Sequence, residues 1–292
     1  MKIKESLGYK VFKVFDVLLI AVISLLCLYP MIYVLFASLS NSSQFIQHQG
    51  LLFRPLGLTL DSYVQVTKHP MIVRGYLNTI FVVVAGLATN MVCTLTGGYV
   101  LAMKDFKWRK LLNKFVVFTM LFSGGMVPQY LTVKAVGLLD SYWSLIFPVA
   151  INTFNMIIIR TAFESVPESL RESARLDGAN DFVILFRIML PLTMPSVAVI
   201  ILYYGVQHWN SWFSSMLYLQ TREKYPLQLI LREILLQNDT STMTDGGGAD
   251  TIGMSDTVKY AVIIVSTLPI LALYPFLQRY FVKGVMIGAV KG

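Results

Sequence analysis

The sequence has 292 residues, of which 55% are hydrophobic and 14% charged, with mean hydropathy +0.64 and net charge +8. So apolar a balance excludes one soluble core and predicts a multispan membrane protein, because a hydrocarbon layer about 30 Å thick takes about 20 helical residues to cross. The two cysteines, Cys27 and Cys93, fall in apolar runs and the three histidines are scattered, which excludes a disulfide framework and a clustered metal site.

In chain order the apolar runs predict six helical spans near 14–38, 73–102, 112–131, 142–162, 192–214 and 259–282. Lys2, Lys4, Lys10 and Lys13 precede a first run that continues past signal-peptide length, so the first span is expected to stay as an anchor. Of the 24 Lys and Arg residues, 16 fall at the two ends and in the loops around 104–114 and 160–187, and 8 fall in the alternate loops. The positive-inside rule then places both termini and the 160–187 region in the cytoplasm. The same placement turns the net positive charge into an orientation signal and removes nucleic acid as a partner; membrane lipid is the expected surroundings.

The external segment 40–72 contains Thr59, a candidate cap for a short surface helix, although a plain loop fits as well. Span 73–102 is rich in Gly and Thr, which predicts close packing inside a bundle. The loop Lys104–Lys110 is short, basic and aromatic, as an interfacial anchor would be. Ser123-Gly124-Gly125-Met126-Val127-Pro128 interrupts the third span, either as a bend lining a pore or as kinked packing. Asn152 and Asn155 in the fourth span either hydrogen-bond between helices or line a polar route. The fifth span ends in an aromatic and amide cluster, Tyr203, Tyr204, His208, Trp209, Asn210 and Trp212. Aromatic faces beside fixed polar groups suit a sugar, and the aromatic belt of a membrane interface explains the same residues. After it, Tyr225–Leu236 reads as an amphipathic helix behind Pro226, and Thr244–Asp250 as a glycine hinge.

The polar island between the fourth and fifth spans carries the most information. Pro167 is placed to open a helix, Glu168 lies in its first turn, Gly178 is placed to end it, and Asn180 or Asp181 to cap the next. Glu172, Ala174, Asp177, Gly178 and Ala179, followed by Ile188, Leu190 and Pro191, stand in the register of the EAA loop. That loop characterises the membrane subunits of binding-protein-dependent ABC importers. Ser173 departs from the alanine of the pattern by a small-for-small exchange.

The chain therefore resembles a permease subunit of the carbohydrate-uptake (maltose-type) class of those importers. The final run, Phe281–Gly292, resembles the tail of the same class. The resemblance implies an all-α membrane protein of the type I importer (MetI-like) fold with six transmembrane helices. Residues 1–72 would form a first helix and external loop, 73–282 the transporter core with its coupling loop at 163–191, and 283–292 a cytoplasmic tail.

It also implies a coupling helix in which Glu172, Ser173, Ala174, Asp177, Gly178, Ala179, Leu190 and Pro191 dock on an ATPase, Glu172 against a basic residue. The implied partners are a second, non-identical permease, two ATPase subunits and an extracellular solute-binding protein. The cargo implied is an oligosaccharide, closest to pectin- or alginate-derived chains, brought through the bacterial inner membrane by alternating access. The chain itself would bind no cofactor and catalyse nothing, with ATP and magnesium held by the ATPase. In keeping with this, the sequence has no Gly-x-x-x-x-Gly-Lys-Ser/Thr loop, nucleophile elbow, His-Glu-x-x-His pair or Cys-x-x-Cys. Two alternatives stay open: an ABC importer for a non-sugar solute, and an ion-coupled secondary transporter. The second needs buried ionisable residues, and Asp16 at a span end is the nearest approach to one.

Overall fold

The computed structural model describes residues 7–236, 257–272 and 275, and every regular element among them is helical. In order these are α1 (Leu7–Ser38), α2 (Ser42–Gln47), α3 (Asp61–Lys68), α4 (Pro70–Ala102), α5 (Arg109–Leu121), α6 (Met126–Ala135) and α7 (Trp143–Ile146). They continue as α8 (Thr153–Glu164), α9 (Glu168–Leu176), α10 (Asp181–Ile184), α11 (Leu190–Leu192), α12 (Met194–Trp209), α13 (Trp212–Tyr218), α14 (Leu227–Leu236) and α15 (Thr257–Ala272). The 244–250 hinge and the 281–292 tail lie outside the described residues.

Two helices, Gly8–Ser38 and Pro70–Ala102, are each long and apolar enough to cross a bilayer unaided. The most apolar stretch of the first is wholly unburied, so its side chains need lipid or another subunit as solvent. The third, fourth and fifth expected spans differ from single straight helices. α5 and α6 meet at 114°, the pair 143–149 and 153–164 at 52°, and the pair 181–192 and 194–209 at 90°. The third expected span thus ends at Leu121 and a new helix starts at Met126, around the break predicted at Ser123–Pro128.

Two compact units are present. Among the described residues the first takes 7–70, 233–236 and 257–267. It holds a half-buried aromatic group in which Tyr260 meets Tyr33 and Phe45 edge-on with centroids 6.0 and 5.6 Å away. Thr257, fully buried, hydrogen-bonds the hydroxyls of Ser42 at 2.9 Å and Ser62 at 3.1 Å. The expected cap at Thr59 is displaced by a residue: Leu60 occupies the cap position of α3 without a side-chain bond, and the Thr59 hydroxyl accepts the Asp61 amide at 3.2 Å.

Among the described residues the second unit takes 71–232, 268–272 and 275. One of its cores joins Leu95 and Tyr99 of α4, Ile159 and Phe163 of α8, Ala174 of α9, Ile184, Leu185, Met189, and Val197 and Ile200 of α12. The polar island is therefore seated on the apolar core that the spans share. A second core, Val82, Val133, Leu145, Tyr218 and Leu219, lies beside the turn at Asp140. Asp140 has φ 54°, an uncommon backbone state for a side-chain-bearing residue. It is held by its own carboxylate, which accepts from the Gln220 and Thr221 amides, the Thr221 hydroxyl and Lys224 Nζ at 2.6–3.0 Å.

Burial acts to raise the Asp140 pKa, and the Lys224 and Thr221 bonds outweigh it, leaving the carboxyl well below the usual carboxylate range. A depressed folded value contributes stability above the unfolded pKa of about 4, and that contribution is lost as pH falls through the folded value. Asp140→Ala is expected to lower the thermal midpoint of detergent-solubilised protein at pH 7 by an amount equivalent to about 2 kcal/mol. The difference from wild type should narrow on acidification below about pH 4. An unchanged midpoint at pH 7 would show that the clasp contributes nothing.

Candidate functional site: the coupling loop and the helices that carry it

The polar island folds as helix, turn, helix. Pro167 stands one position earlier than expected, as the residue capping α9 (φ −55°, ψ 130°), and Glu168 is the first helical residue. Proline suits either position because it has no amide to leave unpaired. α9 ends in a Schellman turn: the Ala179 amide donates to the Ala174 carbonyl at 2.9 Å and the Gly178 amide to the Arg175 carbonyl at 3.0 Å. Gly178 makes this turn at φ +85°, where a Cβ is penalised. Asn180 Oδ1 then caps α10, accepting the Val183 amide at 2.9 Å.

Between α10 and α11 the helix widens to a π turn over Leu185–Met189, with the Leu190 amide reaching back to the Leu185 carbonyl. Pro191 can neither donate to nor pack against the carbonyl four residues before it, and a widened turn is one way to admit it.

The eight residues expected to couple divide by face. Glu172, Ser173, Asp177 and Gly178 point outward with Leu176, which is 89% exposed. Among the described residues the Glu172 side chain has no ion-pair or hydrogen-bond partner. Ala174 is buried in the shared core, and Ala179 and Leu190 pack against it, while Pro191 is exposed. α9 thus presents an outward face with an acid and a leucine, and turns Ala174 into the core for its own support.

The support is electrostatic as well. Arg171, 9% exposed, donates from Nη2 to Asp105 Oδ1 at 2.6 Å and Glu168 Oε1 at 2.7 Å. One turn on, Arg175 Nη1 donates to Asp105 Oδ2 at 2.6 Å, and its Nη2 reaches Asp181 Oδ1 at 3.3 Å. Lys104 pairs with Glu168 at 2.6 Å. Arg109 and Arg160 both pair with Glu164.

The Arg175 hydrogen bond, above all, holds the Asp105 carboxyl down to about 2, and Lys104 likewise lowers Glu168. Asp105 therefore stays charged well into the acid range, and its contribution disappears only as pH falls below the ordinary carboxylate pKa. The loop expected to be an interfacial anchor, Lys104–Lys110, thus also supplies ion-pair partners at Lys104, Asp105 and Arg109. Sequence reasoning missed this role. Arg171 and Arg175 at i,i+4 share a face with Glu168, which the spacing does signal, but nothing local links them to Asp105.

The residues proposed for a solute route also separate. Tyr204 and His208 are 0% and 1% exposed and bond within the protein. The Tyr204 hydroxyl accepts the Asn152 amide at 2.9 Å and lies 2.7 Å from the Thr94 hydroxyl. His208 Nε2 lies 2.6 Å from Asn90 Oδ1, and Asn90 Nδ2 donates to the Val149 and Ala150 carbonyls at 2.6 and 2.9 Å. Gly86 gives His208 its room, since a Cβ there would lie 2.5 Å from Nε2.

Asn152 Oδ1 caps α8 by accepting the Asn155 amide at 3.1 Å. Asn90, Asn152 and Tyr204 thereby serve the backbone freed by the break between α7 and α8. Trp209 is buried with an edge contact to Tyr76, and Asn155 is buried. Tyr203, Asn210 and Trp212 are not: Tyr203 lies near Phe154, and Trp212 carries the Arg232 guanidinium 4.7 Å above its ring. A further open cavity of about 630 Å³ occupies the bend between α5 and α6, where Ser123, Gln129 and Thr132 face it with Phe147 and Pro148.

Comparison with known proteins agrees with this architecture. The family model for the binding-protein-dependent transport system inner membrane component matches residues 8–287. Protein LplC of Bacillus subtilis (strain 168) is 41% identical over 97% of this chain and 96% of its own. The polygalacturonan/rhamnogalacturonan transport system permease protein YtcP of the same organism is 41% identical over 96% and 99%. The crystal structure of a bacterial ABC transporter involved in the import of the acidic polysaccharide alginate has a chain that superposes with TM-score 0.87 at 30% identity, covering 96% of this chain and all of that one. The chain belongs to the family of binding-protein-dependent transport system inner membrane components, the non-catalytic membrane subunits of ABC importers.

Proposed function

We propose that this chain is one permease half of a bacterial inner-membrane importer for acidic oligosaccharides derived from pectin- or alginate-type polymers. The observation that carries the reading is the full-length likeness, at TM-score 0.87 and 30% identity, to a chain of the alginate importer. The 41% identity to a polygalacturonan/rhamnogalacturonan permease points to the same uronate-rich class.

The six-span topology follows if each bent pair is one crossing and α15 begins the last. The 16 residues Thr257–Ala272 reach about 24 Å at 1.5 Å per residue, short of a full crossing by themselves. Both termini and the 163–191 loop then lie in the cytoplasm. A second permease completes the pathway, two ATPases hold ATP and magnesium, and an external binding protein delivers the sugar. Closing of the ATPases moves α9 through its outward face, with Glu172 against a basic residue, and the bundle passes from inward-open to outward-open. Tyr203 and Trp212 are the exposed aromatics of the expected route, Trp212 with one ring face under the Arg232 guanidinium.

The test is ATP hydrolysis by the reconstituted complex with its binding protein, across oligogalacturonides, alginate oligomers, neutral oligosaccharides and non-sugar solutes. Stimulation by an acidic oligosaccharide is expected. Stimulation by a neutral sugar or a non-sugar alone would overturn the substrate class.

A further inference from the structure

The Asp105 contacts reach beyond what docking requires. α9 has nine residues, too few to persist alone in water, and its covalent neighbours are the short link 165–167 on one side and the Schellman turn on the other. Its third attachment is not covalent. Both carboxylate oxygens of Asp105 are taken by α9, one by buried Arg171 and the other by Arg175 one turn later, each at 2.6 Å. Asp105 stands in the turn three residues past the end of α4. The same edge is reinforced by Lys104 on Glu168, and by the Tyr99 hydroxyl of α4 donating to Asp181 at 2.9 Å. Along α9 these groups flank the outward side chains, with Arg175 three residues after Glu172 and Glu168 four before it.

We propose that Asp105 is a positioning residue that transmits displacement of α9 directly to α4, so that ATPase movement reaches this span without passing through α8 or α12. The inference rests on the importer reading above. Two guanidiniums bridged by one carboxylate fix both the distance and the rotation of α9 against the α4 turn, which a single bond or an apolar contact leaves free. Losing that bridge leaves α9 folded, because Ala174 still packs in the core and Arg171 keeps Glu168. What it removes is the stiff link.

The test compares Asp105→Asn and Asp105→Glu with wild type in the full complex in proteoliposomes, reading ATPase co-purification, ATP hydrolysis and oligosaccharide taken up per ATP. For Asp105→Asn, normal co-purification and hydrolysis are expected with about a tenfold fall in uptake per ATP, the size of a lost charge-assisted bridge. Asp105→Glu, which keeps the carboxylate, should recover most of that ratio. Uptake per ATP equal to wild type in Asp105→Asn overturns the proposal. So does a parallel fall in hydrolysis and uptake, which a merely structural role gives, or failure of Asp105→Glu to recover. If no ATPase associates with the unmodified permease, the importer reading itself is overturned and this inference goes with it.

Discussion

Glu172→Lys is expected to abolish uptake and to strip the ATPase from the purified complex, while the permease inserts and folds normally. Glu172 lies on the outward face of α9 beside exposed Leu176 and has no partner of its own among the described residues. A substitution at such a position changes fold stability by about 0.5 kcal/mol or less, apart from a few tenths from a new like-charge neighbour at Arg175. Against a basic residue on the ATPase the same change exchanges attraction for repulsion. Disrupting a charge pair buried at an interface costs about 2–5 kcal/mol, so association should weaken by at least about thirtyfold.

Glu172→Gln removes the attraction without adding repulsion and should fall between. The measurements are the ATPase-to-permease ratio after affinity purification, and uptake in the same membranes. Retention of the ATPase at the wild-type ratio together with normal uptake by Glu172→Lys would sink the docking role.

Much of the coupling loop was legible because its signals are local. Glu168 in the first helical turn, a glycine at the helix end and Asn180 as the next cap are decided within a few residues of chain, and the structure places each as expected apart from the one-residue shift at Pro167. The break in the third expected span was legible for the same reason, as two glycines and a proline fall within Ser123–Pro128.

Two features were not legible. Asp105 meets Arg171 and Arg175 across 66 and 70 residues, and a short basic loop gives no sign of which charges its acid will meet. The tightness of the bundle around Tyr204 and His208 depends on Asn90 and Thr94, more than a hundred residues away, and the Tyr204 hydroxyl also takes the Asn152 amide. Periodicity also gave whole spans where the chain is bent by 52° to 114°, because the hydropathy of a span does not register a change of direction inside it. Such bends are permitted where side chains restore the lost backbone bonds, as Asn90, Asn152 and Tyr204 do around the break between α7 and α8.

Gly178→Val is expected to reduce uptake about as severely as the charge reversal, through a different physical route. The turn at Gly178 has φ +85°, and the space around it is open: a Cβ built there meets nothing within 4 Å. Any cost is therefore one of backbone conformation alone, about 1–2 kcal/mol for an ordinary L-residue and more for a β-branched one. The chain escapes it by giving up the paired bonds from Ala179 to Ala174 and from Gly178 to Arg175, which unwinds the last turn of α9 and swings Asp177 and Leu176 off the docking face. Backbone cost and not bulk then orders the variants. Gly178→Asn should retain most activity because asparagine tolerates the left-handed state, Gly178→Ala should be intermediate, and Gly178→Val lowest. Uptake measures the consequence, and trypsin cleavage after Arg175 measures the cause, since an unwound α9 releases Arg175 from Asp105. If valine is as active and as protease-resistant as glycine, the turn is not required. If alanine and valine fail equally while asparagine also fails, what the site needs is a bare surface against the ATPase and not a left-handed residue.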